Sequence, residues 1–269
     1  MISRVGIVGG CGGFGRAFAD ALTQSECYVV TMDRDPSADV VCDIEEPLEQ
    51  VEAVASECDV LLLCMAQAQA LSVLRRLQAP DDLLLVDICS VKHQIVAAAR
   101  QYCLNAQYLS LHPMFSPERG FHDNNVVAVE VRGGDKLDAF VQLLQVWGAR
   151  IVTTDEATHD QVTAVVQVLT HATLTAFEHA KATIDAPADL VDAMATPIFA
   201  ELTRVAQGML HENPELYHNI QTANPNGNAA RAALHSAVLD TIQVLGAQHP
   251  DGVVELFERL RNQPETPGQ

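Results

Sequence analysis

His112 ends the strand-like run Leu109-Ser110-Leu111-His112-Pro113-Met114-Phe115, and Ser90 and Lys92 close another, Asp87-Ile88-Cys89-Ser90-Val91-Lys92. An imidazole titrates near neutrality, so it can draw a proton off a substrate and return it. A hydroxyl beside it can orient the reacting group, and a lysine brings positive charge. A histidine before proline is by itself more often a packed or solvated loop residue, so the weight rests on its neighbours. His159-Asp160-Gln161 opens a long predicted helix, on which Asp160, Gln167 and His171 recur at i, i+7 and i+11, along one face. Val165, Val166, Val168 and Leu169 flank that polar stripe. A polar group in such surroundings needs a partner, and a ligand, a cofactor amide or a facing loop would serve.

A second chemistry lies near the N-terminus. Gly10-Cys11-Gly12-Gly13-Phe14-Gly15 fits G-x-G-x-x-G between an apolar strand and a helix. In that setting Gly10 permits the tight turn, Gly12 admits a pyrophosphate to the backbone, and Gly15 lets helix and strand pack closely. Unpaired N–H groups at the helix start then face the phosphates. Asp33 follows the next strand about 20 residues later, where a carboxylate accepts hydrogen bonds from the adenosine ribose, which favours NAD over NADP. Arg34 beside it is placed to meet a 2′-phosphate instead.

The elements that hold these residues alternate. Apolar runs at 5–8, 27–32, 60–64 and 83–87 read as strands, with helical spacing at 16–23 and 68–77 between them. Further strands are expected at 106–111, 126–131 and 149–152, with a helix at 136–147. Buried strands alternating with helices mean an α/β domain with a parallel sheet, and ligands then bind outside the carboxyl ends of its strands. Beyond about residue 158 only helical patterns follow, at 159–184, 188–210, 215–222, 228–245 and 252–260. The expected organisation is a Rossmann-type NAD-binding domain over 1–155 and an all-helical domain over 156–269, with a frayed polar tail at 262–269.

The formal charge of −19, from 35 acidic against 16 basic residues, argues against nucleic acid or an anionic membrane as partner. An anionic small molecule must then be held by a few local basic groups or helix N-termini. The seven cysteines are odd in number and show no zinc-ligand spacing, so the expectation is reduced thiols and no metal. MISRVGIVGG enters a strand directly, without a basic leader, and no apolar stretch reaches transmembrane length, so a cytoplasmic location is expected.

Taken together, Val8-Gly9-Gly10-Cys11-Gly12, Val86-Asp87-Ile88-Cys89-Ser90-Val91-Lys92, Leu111-His112-Pro113-Met114-Phe115, Val146-Trp147-Gly148-Ala149-Arg150, His159-Asp160-Gln161, Thr196-Pro197-Ile198 and Asn213-Pro214-Glu215-Leu216-Tyr217 resemble the prephenate dehydrogenase family. The likeness is to its enteric branch, here expected without the chorismate mutase segment that precedes it there. It implies hydride transfer to NAD+ from ring C4 of prephenate with loss of the C1 carboxylate as CO2. It also implies roles: His112 as acceptor of the 4-hydroxyl proton, Ser90 orienting that hydroxyl or His112, Lys92 supporting the site by charge, Gln167 and His171 lining the substrate pocket, and a homodimer through the helical domain. Phe199, Leu202, Val205, Met209 and Leu210 supply apolar surface for that contact.

One departure bears on the substrate. Where the family carries an arginine that anchors a carboxylate, the gapless match is Asn226, with Arg231 shortly beyond. The 4-amino analogue, 4-amino-4-deoxyprephenate, is therefore an alternative substrate. A non-catalytic NAD-binding sensor is an alternative of another class, which would not need His112, Ser90 and Lys92 together.

Overall fold

The computed structural model describes residues 1–262; from residue 263 on, the expected polar tail lies outside the described residues. Strands β1 (Arg4–Val8), β2 (Tyr28–Asp33), β3 (Val40–Val41), β4 (Val60–Leu63), β5 (Leu84–Asp87), β6 (Gln107–Pro113), β7 (Asn125–Arg132) and β8 (Arg150–Thr153) form one sheet in the order β3-β2-β1-β4-β5-β6-β7-β8. The order reverses between β1 and β4, which opens a crevice at their carboxyl ends. The sheet is parallel except between β6 and β7. The cause of that exception within the expected parallel sheet is the connection: a parallel neighbour needs a long crossover, whereas residues 114–124 contain only a 3-10 turn at Pro117–Arg119.

Helices α1 (Gly13–Gln24), α2 (Glu49–Ala55), α3 (Gln67–Arg76), α4 (His93–Tyr102) and α5 (Asp135–Val146) cover the two faces. Successive residues of β4 serve opposite layers, Leu61 and Leu63 packing with Met32, Leu74 and Tyr108, and Val60 and Leu62 with Ile7, Phe18 and Phe140. This is why the strand reads as an unbroken apolar run, and each such side chain contributes about 1.5–3 kcal/mol on burial.

The rest is helical: α6 (Glu156–Thr163), a π-helical segment (Ala164–Leu169), α7 (Thr170–Thr183), α8 (Ala188–Ala193), α9 (Pro197–Leu210), α10 (Pro214–Ala223), α11 (Gly227–Leu245) and α12 (Asp251–Arg261). The single helix expected at 188–210 is broken, because Pro197 starts α9 afresh and Thr196 Oγ1 caps it by accepting the Phe199 N–H at 3.2 Å. The chain forms two compact units, one of Met1–Thr163 with Asn213–Pro225, the other of Ala164–Glu212 with Asn226 onward. The division falls after Thr163, where the π segment begins, and 213–225 returns to the first unit. In the second unit the π segment packs on α7 and α11, and α7 on α9.

Candidate active site

At the end of β1 the chain turns through Gly9 at φ +80°, and the Gly9 and Gly10 N–H groups both donate to the Met32 carbonyl, at 2.8 and 3.2 Å. The left-handed residue of the turn is thus Gly9, immediately before Gly10. A Cβ on Gly9 would sit 2.2 Å from the Cys64 carbonyl oxygen, and Gly10 backs onto Thr31. Gly15 lies in the first turn of α1, where a Cβ would come 2.1 Å from Gly9 O, so only glycine lets the helix close onto the loop.

The residues present fit a dinucleotide. Gly12 precedes α1, whose start has no side-chain cap, and a Cβ there would meet only Gly9 O, at 3.3 Å. The N–H groups of the first turn and an open glycine face thus adjoin a crevice lined by Gly9, Gly12, Met32, Asp33, Arg34 and Met65. Asp33 Oδ2 accepts the Cys11 N–H at 3.1 Å, which ties the carboxylate to the glycine loop where a ribose would lie. Gly13 backs onto Pro117, and the Phe14 ring meets Phe115 edge-on at 5.8 Å. Phe115 in turn meets Phe121 at 5.7 Å, so aromatic contacts hold the glycine loop against the loop that follows His112.

His112, at the carboxyl end of β6, is 3% exposed. Its Nδ1 lies 2.9 Å from His159 Nε2, and His159 Nδ1 lies 2.8 Å from Asp160 Oδ1. The Asp160 carboxylate also accepts the backbone N–H groups of Lys92 and His93, each at 2.9 Å, and so caps α4, whose own N-cap residue has no capping side chain. Burial works against the Asp160 anion, yet the bonds from His159, Lys92 and His93 hold its carboxyl below the usual range. An ionised Asp160 fixes both tautomers: His159 donates through Nδ1 and accepts at Nε2, so neutral His112 donates through Nδ1 and Nε2 is its basic nitrogen. Burial, then the Lys92 charge, then His159 push the His112 pKa well below its ordinary value.

Lys92 is fully buried beneath this strand end. Its Nζ donates to the carbonyls of Cys89 and Leu111, both at 2.6 Å, and lies 3.6 Å from Asp87 Oδ1. Asp87 accepts the Tyr108 hydroxyl at 2.8 Å and the Cys89 N–H at 2.9 Å. Lys92 thus acts on His112 through the Leu111 carbonyl and through its field. Ser90 is half-buried in the same β5–α4 loop, two residues before Lys92.

The other expected substrate residues belong to the second unit. Gln167 lies in the π segment, and His171 opens α7 with its pKa lowered by burial. Asn226 precedes α11, and Arg231 within that helix donates to Asn228 Oδ1 at 2.6 Å. The one-face reading of Asp160, Gln167 and His171 assumed an uninterrupted α-helix; the π segment breaks it, and Asp160 is occupied in capping α4. Two residues escaped the sequence reading of the site: His159 as the partner of His112, and Asn224, whose Nδ2 donates to Asp160 O at 2.9 Å and Thr163 Oγ1 at 3.1 Å. Nothing local in the sequence marks either pairing, since the partners lie 47 and 64 residues apart.

A dinucleotide crevice at the switch point of a Rossmann sheet, with a buried neutral histidine at the carboxyl end of a neighbouring strand, defines an NAD-dependent dehydrogenase. Residues 18–153 match the family model "Prephenate dehydrogenase, nucleotide-binding domain", and residues 155–259 match "Prephenate dehydrogenase, dimerization domain". The chain belongs to the prephenate dehydrogenase family. It is 31% identical over 274 residues to the 4-amino-4-deoxyprephenate dehydrogenase of Streptomyces pristinaespiralis, covering 97% of this chain and 91% of that one. The T-protein of Enterobacter agglomerans is 29% identical over 94% of this chain, which spans 65% of that protein. In fold it resembles Aquifex aeolicus prephenate dehydrogenase in complex with hydroxyphenyl propionate and NAD+, with TM-score 0.70, 18% identity, and 97% and 96% of the two chains covered. Synechocystis arogenate dehydrogenase gives TM-score 0.64 at 21% identity, covering 96% and 93%.

Proposed function

We propose that the enzyme oxidatively decarboxylates prephenate to 4-hydroxyphenylpyruvate. The observation that carries the reading is the buried His112, with Nε2 as its basic nitrogen at the carboxyl end of β6. Bound NAD+ would accept the hydride leaving ring C4. His112 Nε2 accepts the proton of the 4-hydroxyl as the C1 carboxylate departs as CO2 and the ring becomes aromatic. Ser90 orients that hydroxyl, Lys92 fixes the strand end, and Gln167, His171, Asn226 and Arg231 contribute to substrate binding from the helical part. The proposed division of labour is dinucleotide binding over 1–155 and substrate binding with dimerisation over 156–269. Exposed Leu190, Met194, Ile198, Ile242 and Leu245 in the second unit supply apolar surface for a homodimer, for which sedimentation should give the mass of two chains. A single-chain mass at working concentration would count against it. Among the described residues no helix is long and apolar enough to cross a membrane; we place the enzyme in the cytoplasm.

A second reading, 4-amino-4-deoxyprephenate as substrate, is favoured by the neutral Asn226 and by the Streptomyces relative's activity. An arginine at 226 would add a charge-assisted hydrogen bond to a carboxylate, about 1.5–3 kcal/mol or roughly 10- to 150-fold in affinity, while repelling the analogue's ammonium. The test is NADH formation with each substrate by wild type and Asn226→Arg. Turnover of prephenate with NAD+ preferred over NADP+ is expected, with Asn226→Arg shifting preference further toward prephenate. A preference for NADP+ would show that Arg34 governs the ribose site, turnover of the amine alone would establish the second reading, and NADH from neither substrate would sink both.

A further inference from the structure

His112, His159 and Asp160 form a buried chain of hydrogen bonds 2.9 and 2.8 Å long, and all three side chains are almost wholly shielded from solvent. One imidazole suffices to take a proton, so the second histidine needs a reason. We propose that His159 and Asp160 are positioning residues that hold the proton taken by His112: as His112 Nε2 takes it from the substrate, the Nδ1 proton of His112 passes to His159 Nε2, and the charge rests on His159 against the Asp160 carboxylate. The inference rests on the proposed function only for the source of that proton.

The field around the pair decides where the charge settles. His112 lies in the field of Lys92, whose Nζ binds the neighbouring Leu111 carbonyl at 2.6 Å and lies 3.6 Å from Asp87 Oδ1, whereas His159 Nδ1 lies 2.8 Å from Asp160 Oδ1. Burial and the Lys92 charge lower the His159 pKa too, but only His159 has them opposed, by its bond to the Asp160 carboxylate and by the Asp160 and Asp87 charges, so the charge is better placed one ring along, where water is excluded. The carboxylate cannot turn away, because it is bonded to the Lys92 and His93 N–H groups, and Asn224 Nδ2 clamps the carbonyl of the same residue. The balance closes without a further reactant. After transfer His112 is neutral with its proton on Nε2, His159 is an imidazolium, and Asp160 stays ionised. When product leaves, Nε2 releases its proton to solvent while His159 returns one to His112 Nδ1.

The experiment combines 15N NMR of histidine-labelled protein without cofactor or substrate with kinetics of His159→Gln, whose amide can accept the His112 N–H but cannot hold a proton. In the wild type, His112 should carry its proton on Nδ1 at neutral pH, and on acidification His159 should become doubly protonated first. In His159→Gln, kcat should fall at least about tenfold with NAD+ affinity held within about twofold, and the acid limb of the rate profile should move to lower pH because the pair has lost the site, His159 beside Asp160, that takes its first proton. A merely structural His159 would lower kcat without moving that limb. Neutral His112 protonated on Nε2, His112 charging before His159, an unmoved limb, or unimpaired turnover would each overturn the proposal. If the wild type turned over neither substrate, the functional reading would fall while the tautomers and the order of protonation still judged the relay.

Discussion

His112→Asn is expected to lower kcat by roughly 10²–10⁴-fold, the contribution of a positioned acid–base group, with NAD+ affinity unchanged. Affinity should survive because the glycine loop and Asp33 are built on β1 and β2, and Phe14 and Phe115 hold the two loops together whatever stands at 112. The wild-type profile carries its own signature. Burial and the Lys92 charge lower the His112 pKa, so the basic form persists below the ordinary imidazole value of 6.5. The rate should therefore stay level as pH falls through 6.5 and drop only at more acid pH. A mutant that turned over normally would make His112 structural and remove the proposed mechanism.

Lys92→Met is expected to destabilise the fold by about 3–5 kcal/mol, measured by denaturant unfolding, because it leaves one partner of a buried pair without the other. Asp87 would keep only the Tyr108 hydroxyl and the Cys89 N–H, and the carbonyls of Cys89 and Leu111 would lose a charged donor. The same substitution should move the acid limb to higher pH, since the charge that disfavours protonated His112 is gone. A loss of under about 1 kcal/mol would mean that Asp87 is neutralised or hydrated in the mutant, and that the pair is not what holds the end of β6.

What could be read from the sequence follows from how local each signal is. β4 and β5 were legible because burial on both faces demands a continuous apolar run, and the glycine loop because its steric demands fall on neighbouring residues. The two-residue β3 leaves no period to detect. α4 has no start signal of its own because its cap, Asp160, lies 67 residues from His93. A strand's direction is likewise not written in its residues, so the antiparallel β7 follows only from the short connection before it. His112 could be singled out by type and place, whereas its partner came from the far end of the same compact unit, and a π segment disturbed the spacing meant to find the rest.

The return of residues 213–225 to the first unit makes the protein indivisible by a single cut. A fragment ending at Thr163 would lack α10, and with it the Asn224 side chain that grips Asp160 O and Thr163 Oγ1 and the Asn219 amide that donates to Gln67 Oε1. The backbone passes from one unit to the other three times, at 163–164, 212–213 and 225–226. A chimaera that exchanged the helical half with a relative at one splice point would thus inherit a foreign α10 against a native α6, so specificity grafts in this family need matched junctions on both sides of that helix.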